Sequence, residues 1–159
     1  MELPDGARTG PLTAVFAKSD GFFVPGRPVS QGSKTVVFSA EGRPRLIDGR
    51  GSRPRALAAW RDAVAQTAFV WTRGRQLEGP VVVECVFFLA RPKRQSPARD
   101  WPIQRASGDV DKLARAVLDA LTGVAFADDV QVVGLRATKQ WAGTRGEGAF
   151  VSIRPATAA

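Results

Sequence analysis

The sequence contains no histidine among its 159 residues and only one cysteine, Cys85. The absence of histidine excludes catalytic sites that depend on an imidazole, and it excludes histidine-ligated zinc. A single cysteine excludes an internal disulfide and any cysteine-rich metal site. Cys85 lies within an apolar run, so we interpret it as a reduced core residue of a cytoplasmic protein. Any bound metal would therefore need oxygen ligands, and carboxylates favour Mg²⁺ or Mn²⁺.

Long apolar segments are also absent from the sequence. No run of about 18 apolar residues occurs, so no transmembrane helix is predicted. The first ten residues contain acids and have no apolar centre, which is unlike a secretory signal. The length suits one domain. We expect a loose N-terminal extension over 1–19 and a single domain over 20–155.

Basic residues are in excess, with 23 Lys and Arg against 15 Asp and Glu, and the net charge is +8. A domain with this excess attracts polyanions, of which nucleic acid is the most common, although a solubilising surface charge is the alternative. Six arginines occur within 43–61, and five basic residues and three prolines occur within 91–108. The second segment is either a DNA-contacting arm or simply a flexible loop. The candidate DNA-binding residues in these segments are Arg53, Arg55, Arg91, Lys93 and Arg94.

Hydrophobic periodicity predicts a small mixed sheet packed with two main helices, an α+β or α/β fold. The helices are expected at 55–71 and 109–122, and Trp60 and Trp71 are assigned to the core rather than to base stacking. The first part of 43–61 is expected to be a flexible basic loop. The run 80–90 is β-branched and aromatic with little polarity, and it predicts a central strand buried on both faces. Further strands are expected at 21–24, 34–38, 129–139 and 147–154.

Five aspartates lie between 109 and 129 in a chain that elsewhere accumulates arginine: Asp109, Asp111, Asp119, Asp128 and Asp129. Helix capping would explain Asp109, but it explains neither Asp111 nor the adjacent pair. If the strand after the helix returns beside it, Asp109, Asp111 and Asp129 would form a three-carboxylate pocket. Such crowding requires a counter-ion, which a divalent cation supplies. A metal pocket among arginine-rich loops suits phosphodiester cleavage.

The predicted helix also carries Arg115, four residues after Asp111 on its polar face. This spacing is compatible with a surface ion pair between the two. It is equally compatible with a guanidinium directed at the scissile phosphate. Asp119 lies to one side of that face, and we interpret it as a structural residue or as support for a ligand.

The segment GDVDKLARAVLDALTGVAFADDVQVV, residues 108–133, followed by Lys139, resembles the RusA family of crossover-junction endodeoxyribonucleases. The family pattern is Asp-x-Asp-Asn, a helix lysine, Leu/Phe-Asp-Ala-Leu, then Asp-Asp-x-Gln-Val and a later lysine. The upstream Val24-Pro25-Gly26-Arg27-Pro28 is similar to the family's first strand and turn. The strong part of the resemblance covers about 30 residues, and the combined motif is more specific than Asp-x-Asp alone.

The resemblance implies a homodimer that makes paired nicks across a four-way DNA junction with Mg²⁺ or Mn²⁺. It implies that Asp109, Asp111 and Asp129 bind metal, with Asp128 as a further candidate. Such proteins often belong to phages or prophages, which implies action in the cytoplasm of a bacterial or phage-infected cell. Arg115 stands where the family has its helix lysine and Lys112 where it has asparagine, and a planar guanidinium is not a compact ammonium. Lys112 and Lys139 join the candidate DNA-binding residues.

Two other functions compete with a junction nuclease. A non-catalytic DNA-binding module would use the aspartates to cap a helix and to balance arginines. A metal-dependent phosphohydrolase acting on small nucleotides is disfavoured, because the chain has no GxxxxGK[ST] loop and its broad basic segments suit a polymer.

Overall fold

The computed structural model describes residues 20–32, 34–48, 53–93 and 100–157. The predicted extension over 1–19 and the candidate Arg94 lie outside the described residues. Within them the chain has an α+β fold, with a four-stranded mixed sheet, a separate two-stranded sheet and two α-helices. This confirms the predicted fold class.

The four-stranded sheet has the order β1-β6-β4-β5. Strand β4 pairs antiparallel with β6 and parallel with β5, so β5 forms one edge of the sheet. The helices are α1, Pro54–Thr72, and α2, Val110–Leu121. The strands are β1, Gly21–Pro25; β2, Lys34–Phe38; β3, Pro44–Asp48; β4, Val81–Leu89; β5, Val132–Trp141; and β6, Gly148–Pro155.

Strand β4 is the centre of the core, as its largely apolar sequence predicted. Its side chains at Val81, Val83, Cys85 and Phe87 pack with residues of both helices. The core assignment of the tryptophans is confirmed. Trp60 is 4% exposed, and the half-buried Trp71 packs its ring 5.5 Å from that of Phe22.

Helix α2 buries the apolar face that its periodicity predicted, which consists of Leu113, Ala116, Val117, Ala120 and Leu121. Burying this face leaves the opposite side of the helix open to solvent. Strand β5 then runs back beside α2, and Lys139 near its end reaches the segment that precedes the helix. The chain after α2 therefore turns back beside the helix, which is the condition for Asp129 to approach the aspartates at the start of α2.

Two sequence predictions are wrong about local structure. The start of 43–61, expected as a loop, forms β3 and pairs with β2 across a turn in which Gly42 has φ 73°. Pro44 is tolerated because it is the first residue of a strand in a two-stranded sheet. The strand expected from Asp129 begins at Val132, because 129–131 form a 3₁₀ turn.

Cys85 is a free, buried cysteine, which confirms its assignment to the core. Burial raises the pKa of its thiol from 9.0 to about 12. The thiolate is the reactive form, so near pH 8 its population is about a thousandfold lower than in an exposed thiol. We expect iodoacetamide to label Cys85 only after denaturation, as measured by intact-protein mass. Labelling of the native protein at the rate of the denatured chain would contradict this burial.

Candidate active site

An open cleft of about 590 Å³ lies between α2 and the edge strand β5. Helix α2 contributes Asp111 and Arg115 to one wall, and the turn before β5 contributes Asp129 to the other. The structure therefore brings two of the three predicted metal-binding carboxylates and the predicted catalytic arginine to one cleft. The remaining lining residues are Gln31, Leu118, Asp119 and Leu135.

Asp111 and Arg115 share the solvent-exposed side of α2 because they are four residues apart and the apolar face is buried. In the described ranges no ion pair joins the two side chains. The structure thus does not contain the surface ion pair that their spacing allowed. The Arg115 guanidinium is available to an anion in the cleft.

The turn that carries Asp129 is fixed by its neighbours. Asp128, the residue before it, accepts a hydrogen bond from Val130 N–H at 3.0 Å. In return the Gln131 side-chain oxygen accepts from Asp128 N–H at 3.2 Å, which completes a capping box. The Asp128 carboxylate, predicted as a possible metal ligand, therefore caps the turn, whereas Asp129 lines the cleft.

Gln131 also anchors this turn to the rest of the molecule. Its side-chain amide donates to Leu77 O at 3.2 Å and to Gly79 O at 2.8 Å, just before β4. Reasoning from the residues missed this role, although the spacing Asp-x-x-Gln is a capping-box signal that could have revealed it. Gln131 is a positioning residue for Asp129.

Asp109 occupies the N-cap position of α2 but makes no capping hydrogen bond with its side chain. Its carboxylate instead forms an ion pair with Lys112 at 2.8 Å. This hydrogen bond raises the pKa of the Lys112 ammonium. The structure thus does not place Asp109 among the residues of the cleft with Asp111 and Asp129, and it pairs Lys112 with a carboxylate.

Asp119 lines the same cleft but has a partner from the other helix. Its carboxylate forms an ion pair with Arg61 of α1, and both side chains are about one-third exposed, at 34% and 32%. This contact joins the two helices beside the cleft. The interpretation of Asp119 as a structural residue, or as support for a ligand, stays a prediction.

Lys139 is half-buried beneath the start of α2. Its ammonium donates to Ser107 Oγ at 3.0 Å and to Gly108 O at 2.7 Å. Ser107 is 8% exposed, and its hydroxyl donates within the same segment, 2.7 Å from Pro102 O. Lys139, predicted to contact DNA, thus binds the segment that leads into α2, the helix that carries Asp111. Sequence reasoning missed Ser107.

The carboxylates of the cleft are donors of the kind that a hard divalent cation prefers. Within the described part of the chain, no three His, Cys, Asp or Glu side chains form a group that could hold a metal ion. Mg²⁺, however, commonly uses one or two carboxylates and fills its remaining positions with water and phosphate oxygens. Asp111 and Asp129 are exposed carboxylates of one cleft and supply such donors. The donor set fits a hard cation whose other ligands come from solvent and substrate.

The family model described as Endodeoxyribonuclease RusA matches residues 25–154. The chain belongs to the RusA family. No curated protein matches it. The match spans the cleft and both helices, so the protein is an endodeoxyribonuclease of a Holliday junction-resolving, DNA-binding family. Members act on branched DNA and generally depend on a divalent metal. In the described residues, no helix is long and apolar enough to cross a membrane.

The other basic residues predicted to bind DNA in this RusA-family chain lie in different settings. Lys93 and Arg55 are exposed. The Arg91 guanidinium lies 5.1 Å from the ring centroid of Trp141. Arg53 lines a second concave site together with Arg27, a residue that was not among the predicted contacts.

Gly108 sets the direction in which the chain enters α2. It has φ +74°, and a Cβ there would meet Ser30 at 3.3 Å. We expect Gly108→Ala to cost roughly 1–2 kcal/mol in the free energy of unfolding, because an L residue is strained at this φ. A thermal scan should then show a Tm lowered by roughly 2–8 °C.

Gly123→Ala is the control for this substitution, since Gly123 has φ +78° with no atom within 4 Å of the added Cβ. It should show the conformational cost without the contact to Ser30. A Tm of Gly108→Ala equal to that of the native protein would contradict the described start of α2.

Proposed function

We propose that this RusA-family enzyme is a Mg²⁺-dependent nuclease that resolves four-way DNA junctions by paired nicks, with Mn²⁺ able to replace Mg²⁺. One observation carries the proposal: Asp111, Arg115 and Asp129 line a single cleft within the segment that matches the family. The carboxylates would hold the cation, and the guanidinium would contact the phosphate that is cut.

Each of these residues has a distinct part in the proposed reaction. A bound divalent cation supplies positive charge at the phosphate and lowers the pKa of a bound water. Asp111 and Asp129 would hold that cation in the cleft. Arg115 stabilises the negative charge that develops on the phosphoryl oxygens. Its guanidinium suits this part because no carboxylate of the described chain forms an ion pair with it.

Asp109 and Lys112 enter the proposal as an exchangeable pair. Both are at the surface, and the ion pair between them measures 2.8 Å. A DNA phosphate approaching α2 would compete for the Lys112 ammonium, which would free the Asp109 carboxylate to act as a third ligand. Asp128 supports the site by capping the turn of Asp129.

A homodimer and a cytoplasmic location are also part of the proposal. Paired nicks require two active sites, and β5 is an edge strand with exposed apolar side chains. Val130, in the turn before β5, and Val133 and Leu135, in β5, are 80%, 64% and 49% exposed, and exposed apolar side chains along a sheet edge favour association. Light scattering after size exclusion should give twice the chain mass, whereas a monomer at micromolar concentration would contradict this assignment.

The test compares a labelled four-way junction with a linear duplex of matched sequence, each with Mg²⁺ and with EDTA. We expect symmetric nicks in the junction only, and only with the metal. Equal cleavage of the linear duplex would contradict structure selectivity. Junction binding without cleavage in either Mg²⁺ or Mn²⁺ would mean that this member has lost the chemistry of its family.

A further inference from the structure

A second concave site, of about 450 Å³, lies next to the start of α2. Arg27, from the segment after β1, and Arg53, the N-cap residue of α1, both line it. Ser30, Ser107 and Gly108 complete its polar wall. No acidic side chain is among its described lining residues, unlike the cleft of Asp111 and Asp129.

No described acid neutralises the two arginines of this site. Among the described residues neither Arg27 nor Arg53 forms an ion pair, whereas Arg61 and Arg154 do. The first turn of α1, which begins beside Arg53, contains no acid either. Two unpaired guanidinium groups in one concavity create a strongly positive potential, and guanidinium favours bidentate contacts with phosphate.

The position of the site relates it to the candidate active site. Ser30 lines the arginine site and Gln31, the next residue, lines the carboxylate cleft. Gln31 N–H also donates to Lys112 O of α2 at 3.1 Å. This hydrogen bond holds the segment of Ser30 and Gln31 against the helix. Because consecutive residues, about 3.8 Å apart at their Cα atoms, line the two concavities, the concavities share a wall and both are open to one DNA strand.

We propose that Arg27 and Arg53 form a binding pocket for a backbone phosphodiester of the strand that is cut, near but not at the phosphate in the cleft. The proposal rests on the proposed function in placing the scissile phosphate beside Asp111. The pocket fixes the register of the strand, so that one phosphate enters the cleft while a neighbouring one is held by the arginines.

The first test measures junction affinity as a function of salt concentration in EDTA, where binding is read without cleavage. We expect Arg27→Gln and Arg53→Gln each to weaken binding about tenfold or more. Each should also reduce the slope of log K against log salt by about 0.9, the value for one lost phosphate contact. Circular dichroism and Tm should remain native, because both side chains are exposed.

Arg75→Gln is the matched control, since it removes the same charge from an exposed arginine outside the pocket. Arg75 lies before the start of β4. The pocket lies near the other end of that strand, where Phe87 pairs with Lys139 and Lys139 contacts Ser107 of the pocket. An equal change of slope in Arg75→Gln would show that only the overall charge matters, and it would overturn the pocket.

The second test locates the phosphate with single methylphosphonate substitutions, which are neutral, on either side of the mapped nick. One flanking position should weaken binding of the native protein and have no further effect on Arg27→Gln. Penalties that add at every position would overturn the proposal. Because only binding is read, a pocket confirmed here would stand even if Asp111→Asn still cleaved.

Inorganic phosphate provides the last arm, since the same chemistry could bind a free anion. Stabilisation of the native protein by millimolar phosphate, lost in Arg27→Gln without any change in junction affinity, would assign the pocket to free phosphate and overturn the assignment to DNA. Loss of junction affinity together with the methylphosphonate coupling supports the DNA backbone.

Discussion

Asp111→Asn should reduce junction cleavage by roughly 10²–10⁴-fold, while junction binding persists or becomes tighter. The substitution keeps the size of the side chain and removes the charge that would hold a cation in the cleft. It also removes a negative charge that repels the DNA backbone. Single-turnover cleavage of a labelled junction in Mg²⁺, with binding measured in EDTA, separates the two effects. Asp129→Asn should give the same result from the opposite wall of the cleft.

Asp119→Asn is the matched control for this prediction. It is the same change on the same helix and beside the same cleft, but the Asp119 carboxylate is engaged with Arg61. We expect it to lower Tm slightly and to retain most of the cleavage rate. Asp111→Asn with native cleavage would contradict the proposed site. An equal loss in Asp119→Asn would instead indicate that the cleft depends on its total charge.

The fold was predictable where the signal is local. Helix α2 shows its period within twelve residues, and β4 is apolar at all of its nine positions except Glu84. Strand β3 was missed because two of its five residues, Pro44 and Asp48, are of types depleted in strands. Around Asp129 the alternation of apolar residues extends across the capped turn, so the strand was placed three residues too early. A local pattern cannot show where a side-chain cap interrupts a strand.

The candidate site was predictable in its residue types but not in its arrangement. A cluster of aspartates in an arginine-rich chain is visible in the sequence, and two of them share the cleft with Arg115. The pairing of Asp109 with Lys112 depends on rotamers that spacing does not determine. Gln31 reaches the cleft from a segment about 80 residues earlier in the chain. Such a contact depends on the packing of the whole fold, so no motif within 108–139 could contain it.

Substitution of Arg115 should have the second large effect on the cleavage rate. Arg115 stands where the family has a lysine. Arg115→Met should lower the cleavage rate roughly 10²–10³-fold. The substitution removes the guanidinium charge from the cleft and leaves an unbranched side chain in its place. Junction affinity should fall far less, because the chain has 23 Lys and Arg and many of these other cations can attract the DNA backbone. If the reaction needs a positive charge at this position, Arg115→Lys should retain cleavage within about tenfold of native, even though a lysine cannot form a bidentate contact.

Lys112→Met decides between the two cations that could replace the family's lysine. Lys112 is paired with Asp109 and does not line the cleft, so its loss should weaken junction binding and leave the single-turnover rate within about tenfold of native. The reverse pattern, with Arg115→Met cleaving normally and Lys112→Met inactive, would assign the catalytic charge to Lys112. If only Arg115→Met is inactive and Arg115→Lys does not restore cleavage, then this chain depends on the bidentate contact that a guanidinium makes with phosphate. A lysine, which the family has at this position, cannot make that contact.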